Sequence, residues 1–122
     1  MINYGKQNIL RPDINSVIKA LKSNFLTQGP YIDIFQDKIK KYFGAKYCTV
    51  VSNGTAGLYI AGKALNWKKG DYIITTPITF VASANSIILS GAKPILVDIE
   101  NEFYNLDPNK VEDKLKKTKK KN

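Results

Sequence analysis

Residues 47–61 read Tyr47-Cys48-Thr49-Val50-Val51-Ser52-Asn53-Gly54-Thr55-Ala56-Gly57-Leu58-Tyr59-Ile60-Ala61. Cys48 to Val51 are short, β-compatible and apolar or nearly so, which predicts a buried strand. Ser52, Asn53, Gly54 and Thr55 interrupt the run with residues that cap helices and permit tight turns. From Ala56 to Leu65 apolar residues occupy nearly every face, so the helix they form should be covered on most sides. Such a turn leaves helix N-terminal N–H groups free at the carboxyl end of a strand. With the helix dipole they suit an anion, phosphate above all. Gly54 lets a ligand approach the backbone, and the Thr55 hydroxyl can add a hydrogen bond. A capped turn with nothing bound is the competing reading, because many α/β domains contain one.

Outward from this stretch toward the C-terminus, Trp67 to Asp71 form a turn, and Tyr72-Ile73-Ile74-Thr75-Thr76 is a β-branched strand. Pro77 ends it, Thr79 can cap a helix over 80–89, and Gly91 closes that helix. Lys93 to Ile99 form another strand. Asp107-Pro108 has the form of a cap and first-turn proline, with Val111 and Leu115 on one face of a short helix. Strands that are continuous apolar runs alternating with helices predict a parallel sheet covered on both faces. Ligands in such sheets collect at the carboxyl ends of the strands, where Ser52–Thr55, Pro77–Phe80 and Asp98 fall. Asp98 there reads as a turn former or structural acceptor rather than a catalyst.

Toward the N-terminus, Ile14, Val17, Ile18 and Leu21 predict an amphipathic helix over 13–23. A second, over 31–43, should bury Ile32, Phe35, Ile39 and Phe43 and stop at Gly44. A loop from Asn24 to Pro30 joins them.

The 122 residues suffice for one small domain. One cysteine rules out an internal disulfide, and Cys48 in an apolar strand reads as a packed thiol. The absence of histidine excludes a histidine-based metal site or triad. The first residues lack a signal-peptide layout, and no apolar run approaches the ~20 residues of a membrane span. A soluble, cytoplasmic protein is expected. Of the net charge of +9, residues 110–122 supply five, with seven lysines against Glu112 and Asp113. The body is therefore only mildly basic, and the charge argues for a solvated tail over specific nucleic-acid binding.

Ser52-Asn53-Gly54-Thr55-Ala56, Gly70-Asp71, Thr75-Thr76-Pro77-Ile78-Thr79-Phe80-Val81-Ala82 and Gly91 to Ile99 stand in a fixed order. Together they resemble the amino-terminal part of the DegT/DnrJ/EryC1/StrS family. These are pyridoxal-phosphate-dependent aminotransferases that act on nucleotide-linked sugars. Leu26-Thr27-Gln28-Gly29 with the Thr75–Ala82 segment is most similar to the branch that acts on UDP-4-keto-6-deoxy-hexosamines in pseudaminic acid synthesis. The resemblance implies an α/β fold: the amino-terminal part of the large domain of a fold-type I pyridoxal-phosphate transferase, mostly parallel sheet with flanking helices, incomplete. It implies an amino-terminal helical segment over 1–44, a partial cofactor-binding domain over 45–115 and a disordered basic tail over 116–122. Gly54, Thr55 and Ala56 would hold the cofactor phosphate, and Phe80 would stack on its pyridine ring. Tyr4, Asn24, Phe25, Leu26 and Thr27 would contact the nucleotide-sugar substrate. An amino-acid donor and a homodimer follow from the same resemblance, with no membrane or specific nucleic-acid partner.

The family's chemistry also needs a lysine that forms the Schiff base and a carboxylate that pairs with the pyridine nitrogen. Both come from later segments in the family, and Lys63, Lys68, Lys69 and Lys93 do not match the lysine motif. The expectation is a chain that stops early, after a frameshift, without transaminase activity of its own. Its first strand would lack a partner from later in the sequence, so weak or absent cooperative unfolding is expected. Three other readings stand beside this one. A relative could use the same cofactor for sugar dehydration. The chain could be a phosphate- or nucleotide-binding α/β module, though no Gly-x-Gly-x-x-Gly follows the strand. A basic nucleic-acid-binding protein ranks last, because its charge sits in a tail without interleaved aromatics.

Overall fold

The computed structural model describes residues 5–119, in two compact units that meet in sequence at Val50 and Val51.

The first unit holds two helices. α1 (Arg11–Leu21) starts with proline in its first turn, and the Asp13 carboxylate accepts the Leu10 N–H at 2.8 Å. Proline suits this position because its missing N–H would find no intrahelical partner there. α2 (Pro30–Phe43) again begins on proline. It ends at Gly44, whose φ of 63° is the left-handed conformation that closes helices. Both helices lie within two residues of their predicted bounds. The predicted burial of α2 is not observed. Ile32 is 48 %, Phe35 52 % and Phe43 70 % exposed, and Ile39 is half-buried. The apolar stripe is present, but the unit offers it no surface to pack against.

No strand forms over Cys48–Val51. The Val50 N–H instead donates to Oε1 of Gln36 at 3.1 Å. A strand exists only through a ladder partner, and none lies beside this run among the described residues.

The second unit runs α3 (Gly54–Ala64), β1 (Tyr72–Thr75), α4 (Ala82–Leu89), β2 (Lys93–Leu96) and α5 (Pro108–Lys119). β1 and β2 pair in parallel, with Tyr72 opposite Lys93 and Thr75 opposite Leu96. α4, the crossover between them, packs on both strands and on α3. The core is small: Ala82, Ile87, Ala92 and Val97 are the buried apolar side chains. α3 comes close to its neighbours at Gly62, where a Cβ would stand 2.5 Å from Trp67 Cε3 and 2.9 Å from Ser90 Oγ. The predicted covering of α3 on most sides is not seen, since Leu58 and Ile60 remain exposed.

β2 stops three residues short of its predicted end. Asp98 turns its carboxylate back onto the Ile99 N–H at 2.9 Å, and Ile99 then bridges antiparallel to Leu106. Asp98 also lies 3.5 Å from Lys110 Nζ, so it serves as the structural acceptor expected of it. Residues 116–119, expected in a disordered tail, continue α5. Lysine is a good helix former, and Lys116 pairs with Glu112 one turn earlier at 2.6 Å.

Large apolar side chains stay exposed on both units, among them Ile32, Phe35 and Phe43 on the first and Leu58, Phe80 and Ile88 on the second.

Candidate functional site

The turn before α3 shows where an anion could sit. Asn53 is the N-cap, in extended conformation, and its Oδ1 accepts the Ala56 N–H at 2.9 Å. The Gly57 N–H returns to the Asn53 carbonyl at 3.2 Å. This leaves the N–H groups of Gly54 and Thr55 without an acceptor among the described residues. The first turn carries no acidic residue, so nothing local neutralises the positive end of the helix dipole. The space where a Gly54 side chain would project is open, with no heavy atom within 4 Å. Ala56, expected to contribute its amide, has that group engaged by Asn53.

Phe80 reaches the same place from the end of β1. After Thr75 the chain turns at Pro77, with the Ile78 N–H held by Thr76 Oγ1 at 3.1 Å. The Phe80 carbonyl accepts the Ser83 N–H at 3.0 Å, and Thr79 Oγ1 lies 3.0 Å from Ser83 Oγ. Thr79 thus pins the loop side chain to side chain and does not cap α4, which begins at Ala82 without a side-chain cap. The Phe80 ring, 74 % exposed, faces a hollow of about 550 Å³ together with Gly54, Thr55, Gly57, Leu58, Ala61 and Ala82.

The lining combines two chemistries: Gly54 and Thr55, whose N–H groups have no acceptor among the described residues, and an apolar wall of Leu58, Ala61 and Ala82 with the Phe80 ring. A flat, largely apolar ring bearing an anionic arm fits both, and pyridoxal phosphate has that form. No lysine lines the hollow. Lys63, Lys69 and Lys93 are exposed on α3, in the turn and at the start of β2, and Lys68 is exposed in the same turn. The sequence pointed to Gly54, Thr55 and Phe80 but missed the wall residues Leu58, Ala61 and Ala82. The signal was present, because Leu58 and Ala61 follow Gly54 at helical spacing of four and seven.

The predicted substrate residues lie in the first unit. Asn24, Phe25, Leu26 and Thr27 form the loop between α1 and α2, pinned by Ser23 Oγ, which donates to the Ala20 carbonyl at 2.7 Å. Phe25 and Leu26 line an apolar hollow of about 270 Å³ with Val17, Leu21 and Ile32. Asn24 and Thr27 are exposed and do not line it. Tyr4 lies outside the described residues.

Comparison with known proteins gives a consistent result. A family model described as the DegT/DnrJ/EryC1/StrS aminotransferase family matches residues 7–121. A UDP-4-amino-4,6-dideoxy-N-acetyl-beta-L-altrosamine transaminase of Campylobacter jejuni is 40% identical over 117 residues, covering 96% of this chain and 31% of that protein. Among solved structures, Helicobacter pylori PseC, an aminotransferase of pseudaminic acid biosynthesis, superposes with a TM-score of 0.83 at 31% identity. The match covers 91% of this chain and 30% of that one. A sugar aminotransferase of Streptococcus pneumoniae in its pyridoxal-phosphate form also gives 0.83, at 26% identity, over 92% of this chain and 29% of that one. The chain thus spans about a third of the length of the relatives it matches.

Proposed function

Because the chain belongs to the DegT/DnrJ/EryC1/StrS aminotransferase family, we propose that it supplies the phosphate cradle and ring stack of a pyridoxal-phosphate-dependent nucleotide-sugar aminotransferase. One observation carries this reading. Gly54 and Thr55, whose N–H groups have no acceptor among the described residues, line a single hollow together with Phe80. The phosphate binds the Gly54 and Thr55 amides and the Thr55 hydroxyl, at the positive end of α3. The Phe80 ring fixes the tilt of the cofactor ring, and Leu58 and Ala61 exclude water from beneath it. The bound cofactor supplies the electron sink through which an amino group passes from an amino acid to a keto sugar.

The catalytic lysine and the carboxylate facing the pyridine nitrogen are not contributed by residues 5–119. Phe25 and Leu26, with Asn24, Thr27 and Tyr4, contact a nucleotide-linked 4-keto-6-deoxy sugar. The similarity to the altrosamine transaminases supports a role in pseudaminic acid or cell-surface glycan synthesis, in a homodimer. Residues 1–44 act as a helical segment and 45–115 as part of the cofactor domain.

Calorimetric titration with pyridoxamine 5′-phosphate tests this reading, since that ligand carries no aldehyde to react with surface lysines. Binding should require the phosphate. Phe80→Ala should weaken it about fivefold, the equivalent of roughly 1 kcal/mol of aromatic contact. Equal binding of phosphate-free pyridoxamine would contradict the reading.

A further inference from the structure

Among the asparagines of the chain, Asn53 alone is followed by glycine. The pair stands at the start of α3. The Gly54 N–H is the first of the helix, so it has no place in the helical ladder and no acceptor among the described residues. Gly54 carries no Cβ, and the space a Cβ would take has no heavy atom within 4 Å. Asn53 Oδ1 accepts the Ala56 N–H at 2.9 Å, which draws electron density from Cγ and opens it to attack. The positive end of the α3 dipole favours negative charge on either atom as a bond forms between them. Asn15 and Asn85, each followed by serine, lie inside α1 and α4. There the next nitrogen is bound into the helical ladder.

We infer that Asn53 and Gly54 form a self-modifying site that converts the Asn53 amide into a carboxylate. The Gly54 nitrogen sheds its proton to solvent, bonds to Asn53 Cγ and closes a cyclic imide. The Cγ–Nδ2 bond breaks, and Nδ2 takes up a proton and leaves as ammonia. Water then opens the imide at either carbonyl, giving an aspartyl or an isoaspartyl residue, with no oxidant or reductant involved. Closure displaces only the cap bond to Ala56 and the 3.2 Å bond from the Gly57 N–H to the Asn53 carbonyl. The product alters the turn. Nδ2 is a donor and reaches Ser52 Oγ at 3.2 Å. The oxygen that replaces it is an acceptor. In the aspartyl form it takes the unengaged Thr55 N–H while the other oxygen keeps that of Ala56. The helix dipole also favours a carboxylate in this position. The conversion itself does not depend on the cofactor reading. Only its consequence rests on that reading: a phosphate held by Thr55 would meet a fixed negative charge and a rival acceptor.

The test uses the whole chain without ligand. On storage at mildly alkaline pH, peptide mapping by mass should find the acid form accumulating at Asn53 about tenfold faster than at Asn15 or Asn85, whose neighbouring nitrogens are released only when the helix opens. An isoaspartyl-specific methyltransferase should label the same peptide. Gly54→Ala should slow the conversion about tenfold, because a Cβ crowds ring closure. The open space at Gly54 and the helix preference of alanine keep α3 formed in that variant. In freshly purified Asn53→Asp, the Thr55 amide should exchange about fivefold more slowly than in the parent chain. Conversion at Asn53 no faster than at Asn15 or Asn85 overturns the inference. So does an unchanged rate in Gly54→Ala, or Thr55 exchange as fast in Asn53→Asp as in the parent.

Discussion

Gly62→Ala sets two known effects against each other at a single methyl group. In an exposed helix the substitution stabilises by about 1 kcal/mol through backbone entropy. Here the new Cβ would lie 2.5 Å from Trp67 Cε3 and 2.9 Å from Ser90 Oγ. Carbon pairs rest at about 3.5–4.0 Å, so the indole must retreat by roughly 1 Å. The backbone that carries it is fixed by the Trp67 main-chain N–H, which donates to the Gly62 carbonyl at 3.0 Å. Ser90 is buried and its hydroxyl donates to the Ser86 carbonyl at 2.8 Å, so it cannot turn aside freely. Overpacking of this kind costs about 2 kcal/mol, leaving a net loss of roughly 1 kcal/mol. Native-state amide exchange in α4 should therefore accelerate about fivefold. The Trp67 fluorescence should shift to the red as the ring moves toward water. In a Trp67→Leu background most of the cost should vanish. Slower exchange in Gly62→Ala, or the same acceleration with Trp67 replaced, would refute the packing argument.

Asn53→Ala should cost α3 about 1 kcal/mol through loss of the cap on Ala56, seen as faster exchange of the Ala56 amide, whereas Asn53→Ser should retain most of it. Glu100 accepts N–H groups from Glu102, Phe103 and Asn105, which hold its carboxyl below the ordinary value of 4.5. A depressed carboxylate pKa stabilises the loop at pH above 4.5 and ceases to as pH falls through the lowered value. Amide resonances of residues 102–105 should therefore shift together below pH 4.5, and in Glu100→Gln that transition should disappear. With so much apolar surface exposed, thermal unfolding of the chain alone should be broad and dye binding strong; a sharp two-state transition would count against this.

Seven of the eight elements anticipated from sequence formed, because each had a local signal. Pro108 marks a helix start, Gly44 and Gly91 mark helix ends, and β-branched runs mark β1 and β2. The eighth, Cys48–Val51, had an equally good β pattern. It failed because a strand depends on a distant partner, and periodicity carries no information about where that partner comes from. The same reasoning covers the apolar stripe of α2, which is legible as a stripe but not as buried. At the site, Gly54, Thr55 and Phe80 were readable from turn chemistry and from motif order. The engagement of Ala56 by Asn53 was not, since Ser52 and Asn53 were equally plausible caps. Nor was the role of Glu100, whose carboxylate gathers its own loop through bonds of short range that no pattern announces.

The central claim is that the bend before α3 grips a phosphate. The most direct measurement is a titration of isotopically labelled chain with pyridoxamine 5′-phosphate, followed by the backbone amide resonances. The Gly54 and Thr55 signals should move saturably, with those of Leu58 and Ala61 following through ring currents, and pyridoxamine lacking the phosphate should leave Gly54 and Thr55 still. Shifts confined to the lysine-rich α5, or none at Gly54 and Thr55 at saturating ligand, would contradict the account.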